Sequence, residues 1–249
     1  MRSSNPVLTG RGFARINPAV LDGREVPAQG ATTLESRPNS APMSIDDVII
    51  KTAALFAVLV GVGAFAWRAQ NTTLALVGLF GGLILAMVNS FSKKIRPALV
   101  IAYAAAQGLA LGTISWMYEQ QYQGIVGQAV VATACAFIGV LIAYKSGKIR
   151  VTPKFTRVLM GSLIGYFVFG IFVMLTNSFP SGGLGTIIAI GGVLLASMFI
   201  AMDLDQIQKA VAAKVPAEES WRCAFGLMVT LVWLYMEVLR LISILRGRD

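Results

Sequence analysis

The chain has 249 residues, 56% hydrophobic and only 13% charged, with a mean hydropathy of +0.70, where a soluble domain carries about a quarter of its residues charged. A net charge of +9 in so apolar a chain points to basic loops beside a membrane and away from nucleic acid as a partner. Histidine is absent, which excludes a Ser-His-Asp hydrolase, a His-ligated zinc or haem centre and a histidine proton relay.

Residues 1–43 hold five of the nine prolines and five arginines, with no apolar run longer than a few residues. Such a stretch cannot bury enough surface to offset its chain entropy and is expected to be a disordered polar tail. It also lacks the apolar core of a signal peptide. Residues 44–249 are expected to form a membrane domain. Ser44-Ile45-Asp46-Asp47 reads as its first helix start, with Ser44 as N-cap and Asp47 three positions on.

A helix needs about 20 apolar residues to cross the hydrocarbon. Seven stretches meet that length: Ile49–Trp67, Thr72–Phe91, Pro97–Tyr118, Ile125–Tyr144, Phe155–Leu175, Leu184–Met202 and Cys223–Leu245. The uncharged run from Val158 to Met202 is too long for one span and is divided at Asn177–Gly183, a cluster of turn residues. The expected fold is therefore an all-α polytopic membrane protein with seven transmembrane helices. Gly108–Gly112 and Gly161–Gly165 both have the spacing of close helix packing. Cys135 and Cys223 lie in or beside apolar runs, so no disulfide framework is expected.

Basic residues concentrate in alternate loops: Lys93, Lys94 and Arg96; then Lys145 to Arg157; then Lys209, Lys214 and Arg222. The opposite loops offer Arg68 and little else. The positive-inside rule puts the N-terminus in the cytoplasm and the C-terminus outside, with Arg246 and Arg248 as mild exceptions.

Most charges sit at span ends, where long side chains snorkel to the interface. Asp203 closes the sixth span, and Glu237 and Arg240 lie inside the seventh. An ionisable group within a span is costly and faces the bundle interior, usually with a task. Glu237 has one plain structural explanation, an ion pair with Arg240 three residues on and on the same helix face. Asp205 is expected to be solvated just beyond its span. Glu237 is fourteen residues past Cys223, about 21 Å along a helix, so by this count it stands at a different depth from Asp203.

Asp203-Leu204-Asp205-Gln206-Ile207 resembles the Tyr-Asp-x-x-Gln-Ile pattern of the Bax inhibitor family, the YccA-like membrane proteins. Leu234-Tyr235-Met236-Glu237-Val238-Leu239 resembles that family's Leu-Tyr-Leu-Asp-Phe-Ile, and Tyr103 to Gly112 its third helix. Glu237 departs from the pattern, which has Asp at that place. The resemblance implies six helices wrapped around a central seventh, and two carboxyl groups, Asp203 and Glu237, paired between helices six and seven. No enzyme is expected on the residues themselves, since a rhomboid protease or zinc hydrolase needs histidine and a retinal protein needs a lysine in Cys223–Leu245, which has none, and the resemblance brings no resident cofactor. What it does imply is a pH-sensitive leak or exchange of calcium, as associated with bacterial members, in a bacterial cell membrane. It also implies an alternative from another class: a non-transporting protein that binds membrane-protein partners and modulates a membrane protease or stress response.

On that implied pairing, Asp203 and Glu237 titrate as one coupled unit. Singly protonated, the pair latches helices six and seven; doubly ionised, it repels and offers oxygen ligands of the kind calcium prefers. A weak calcium site at Asp203 and Glu237 is expected to suit passage of the ion. Arg240 and Asp205 are the residues expected to tune it.

Overall fold

A computed structural model of the chain describes residues 41–92, 94–176 and 182–247. The expected tail up to residue 40, Lys93, the turn at residues 177–181 and Arg248 lie outside them. Seven α-helices follow one another: α1 (Ile45–Ala69), α2 (Thr72–Phe91), α3 (Pro97–Gln121), α4 (Ile125–Lys145), α5 (Pro153–Thr176), α6 (Gly182–Ala212) and α7 (Ser220–Arg246). A 3-10 turn, Ala217–Glu219, leads into α7. Each of the seven is long and apolar enough to cross a membrane.

Local chemistry sets the ends. Ser44 and Asp47 form the expected capping box, with the Asp47 N–H donating to Ser44 Oγ at 3.1 Å and the Ser44 N–H to Asp47 Oδ2 at 3.0 Å. Asn71 caps α2 through the Thr73 N–H at 2.9 Å, and Pro97 opens α3, where its missing N–H costs nothing. Between α3 and α4, Glu119 turns back and accepts from the Val126 N–H at 3.1 Å, satisfying the start of α4. All seven expected spans are found, and most helices run past them. The longest overrun is in α6, which continues from Met202 to Ala212.

Helix α7 packs against α6, α1, α4 and α3, while α2 lies on α3 and α5 on α6. The buried core follows α7: Phe225, Met228 and Val232 meet Leu55, Val100 and Tyr103 of α1 and α3. Further along, Leu227, Leu234 and Leu239 meet Ile125, Ala196 and Ile200 of α4 and α6. Outward faces remain apolar, as with Phe80, Phe91, Val158 and Phe167. Water penalises such surface and lipid does not, so these faces are those of an integral membrane protein.

The chain before α1 is tied down close to its start. Met43 is buried, its N–H donates to Val215 O at 2.8 Å, and the Ala217 N–H donates to Ala41 O at 2.9 Å. Residues 41–43, expected to belong to the polar tail, thus lie against the α6–α7 connection.

Candidate functional site

The acidic groups of the last two spans, Asp203 and Glu237, lie along the seam between α6 and α7. Glu237 is buried in α7 and is met by three donors. Tyr166 Oη, from α5, donates to Glu237 Oε1 at 2.6 Å. Trp233 Nε1, one turn earlier on α7, donates to the same oxygen at 3.0 Å. Arg240 bonds Oε2 in a salt bridge of 2.5 Å and also reaches the Tyr166 hydroxyl. The guanidinium further stands over the Tyr166 ring, 5.8 Å from its centroid. The carboxylate therefore has a counter-charge and hydrogen bonds on both oxygens, which is what makes a buried charge tolerable. Gly192 of α6 is the surface it lies against: a Cβ there would stand 2.7 Å from the Tyr166 hydroxyl and would also meet the Glu237 carboxylate. A side chain at this position would push the Glu237 carboxylate and the Tyr166 hydroxyl out of their present places.

Asp203 stands elsewhere on the seam. Thr230 Oγ1 of α7 donates to its Oδ2 at 2.6 Å, and its Oδ1 faces Gly226, at 3.9 Å from where a Cβ would lie. It forms no salt bridge among the described residues, so this carboxylate has a hydroxyl partner and no cation. Asp205 points toward the basic loops, paired with Lys209 at 2.5 Å and approached by the Tyr144 hydroxyl at 3.4 Å.

The direct contact expected between Asp203 and Glu237 is not formed. Glu237 lies level with Gly192 on α6, eleven residues from Asp203. Asp203 lies level with Thr230 on α7, seven residues from Glu237. At 1.5 Å per residue the two carboxylates are separated by roughly 10–16 Å along the seam. The physical reason is the register of the antiparallel pair: Asp203 lies nine residues before the end of α6 at Ala212, whereas Glu237 lies seventeen residues past the start of α7 at Ser220, so the short connection sets them at different depths. The intrahelical ion pair with Arg240, the structural alternative for Glu237, is the interaction that forms. Among the described residues, no group of three or more Asp, Glu or Cys side chains is placed to hold a metal ion.

Sequence reasoning missed Tyr166, Trp233 and Thr230. Trp233 was within reach, since it precedes Glu237 by four residues and so shares its face. Tyr166 and Thr230 act across helices, and spacing along one helix carries no information about them.

No curated protein matches the chain. The family described as Bax inhibitor 1 like matches residues 6–247, which include all seven spans and both acidic positions of the seam. The chain belongs to the Bax inhibitor 1-like family of multi-span membrane proteins.

Proposed function

We propose that the chain is a non-enzymatic, pH-sensitive cation leak with calcium as cargo, controlled along the seam between α6 and α7. The observation that carries this reading is the unequal pairing of the two seam carboxylates. Glu237 has its charge matched by Arg240, whereas Asp203 has only the Thr230 hydroxyl. A direct latch between the two acids would need α6 to slide by roughly 10 Å along α7, far beyond the 1–2 Å typical of helix shifts. The two positions therefore have separate jobs. Asp203, when ionised, is the unmatched charge that draws a cation into the seam. Glu237 with Arg240, Tyr166 and Trp233 is the closure beyond it, and Asp205 with Lys209 sits at the basic mouth. The family's arrangement of six helices around a central seventh is supported by the contacts of α7 with four other helices. On this reading the Asp203 mouth opens to the cytoplasm, where the basic loops lie.

Protonating Asp203 removes the attracting charge, so flux rises with pH as that carboxyl ionises and falls on the acid side. The test is calcium flux from liposomes carrying the purified full chain, measured from about pH 5 to pH 8. Asp203→Asn should give a low flux with no pH dependence. Thr230→Val should keep a pH-dependent flux with a displaced midpoint. A wild-type protein without flux, or an Asp203→Asn variant with an unchanged profile, would leave the alternative, a protein that binds and restrains other membrane proteins without transport.

A further inference from the structure

Helices α1 and α4 scarcely touch along their length, and a groove of about 570 Å³ opens between them. Its floor is the Leu231 and Val232 stretch of α7, and the hydroxyls of Ser115 and Tyr235, which lie in it, are already bonded to one another at 2.7 Å. The Thr133 hydroxyl is likewise spent on Ala129 O at 2.7 Å, and the walls are otherwise apolar. The exception is at one end, where Trp67 and Arg68 of the last turn of α1 line the mouth. Arg68 is exposed and has no ion-pair partner among the described residues.

Three properties of this groove select its occupant. The first is length. On α1 it runs from Phe56 to Arg68, and on α4 from Val126 to Phe137, roughly 16–18 Å on each wall. One leaflet of a hydrocarbon core about 30 Å thick is about 15 Å deep. The second is polarity. Water in such a groove would find almost no hydrogen-bonding partner, whereas hydrocarbon fills it without loss. The third is the placing of charge: an unmatched guanidinium at the interfacial end, beside an indole of the kind that anchors at headgroup level. An apolar slot one leaflet deep, ending in a cation, is complementary to a single phospholipid chain beneath its phosphate. We propose that this groove is a phospholipid site, with one acyl chain lying between α1 and α4 on α7 and the lipid phosphate held by Arg68. The bound chain closes the gap between α1 and α4, so the floor of the site is the opposite face of the helix that carries Glu237.

The experiment is native mass spectrometry of the full chain in detergent, titrated with dioleoylphosphatidylglycerol or with dioleoylglycerol, which has the same chains and no phosphate. Wild-type protein should hold one phosphatidylglycerol molecule, about fivefold more tightly than dioleoylglycerol, the size of one interfacial cation–phosphate attraction. Arg68→Gln should bring that ratio close to one. Ala134→Trp, or Ala64→Phe from the facing wall, should fill the groove and remove the stoichiometric adduct of both lipids with no loss of thermal stability. No saturable adduct in wild type, a ratio unchanged in Arg68→Gln, or binding that survives both filling variants would each overturn the proposal. A dimer that excludes lipid would overturn it as well, since the occupant would then be a second copy of the chain.

Discussion

Glu237 and Arg240 sit three residues apart on α7, with side chains exposed to 8% and 30%, and each is the other's reason for tolerating burial. Removing one partner of a buried pair strands the remaining charge, whereas removing both leaves two neutral groups that Tyr166 and Trp233 still reach. Glu237→Gln and Arg240→Gln should each destabilise the protein in detergent by about 3 kcal/mol. The double variant should lose at least about 1 kcal/mol less than the sum of the two. Melting curves of the three variants decide this, and strict additivity would mean that the pair has no mutual stabilisation. The pair was readable from the sequence because i and i+3 share a helix face whatever the fold. The partner of Asp203 was not. Thr230 is 27 residues away on another helix, and its depth depends on where α6 ends, which hydropathy does not report.

Helix limits show the same division between what apolar runs encode and what they do not. All seven spans were legible because the hydrocarbon demands a long uncharged run, and the capped start at Ser44 was legible too. The end of α6 was not. Asp203, Asp205 and Lys209 interrupt the apolar run, but Leu204, Gln206, Gln208, Lys209 and Ala210 are good helix formers and carry the helix on. The glycine pairs divide differently. A Cβ on Gly108 would stand 2.6 Å from Leu59 O, and one on Gly112 would run into the Gly63 backbone, so α1 and α3 touch at main-chain distance. Gly161 and Gly165 have the same spacing, yet a Cβ on either would meet nothing within 4 Å. Spacing identifies a smooth stripe, and only the neighbour decides whether anything packs on it. Gly112→Ala should therefore cost about 1–3 kcal/mol by forcing α1 and α3 apart. Gly161→Ala should be neutral or stabilising by up to about 1 kcal/mol, the ordinary helix preference of alanine over glycine. Thermal unfolding of both variants in one detergent separates the cases, and equal losses would sink the distinction.

At the scale of the molecule, loops that alternate along the sequence meet on two faces. On one face Met43 bonds Val215 O, Lys51 reaches Ala217 O at 3.1 Å, and Arg222 reaches Ser92 O at 3.3 Å. The start of α1, the α2–α3 loop and the α6–α7 connection are thereby gathered together. On the other face Arg246 donates to Gln123 O at 2.7 Å, joining the end of α7 to the α3–α4 turn. That grouping is what seven crossings require. It also sorts the charge, since Lys94, Arg96, Lys209, Lys214 and Arg222 belong to the first face, and Arg68 and Arg246 to the second. Excess Lys and Arg in short loops resist translocation, so the first face should be cytoplasmic. At 31 residues, α6 is about 46 Å long against a hydrocarbon core of about 30 Å. Its surplus emerges on that same face, where Asp205 and Lys209 can be solvated. In a background with Cys135 and Cys223 replaced by alanine, Ser146→Cys on the α4–α5 loop should resist an impermeant thiol reagent applied to intact cells and react after permeabilisation. Gln123→Cys, on the opposite face, should react at once. The reverse pattern would invert the protein in its membrane, placing Arg68 and the groove in the cytoplasmic leaflet and the Asp203 mouth outside.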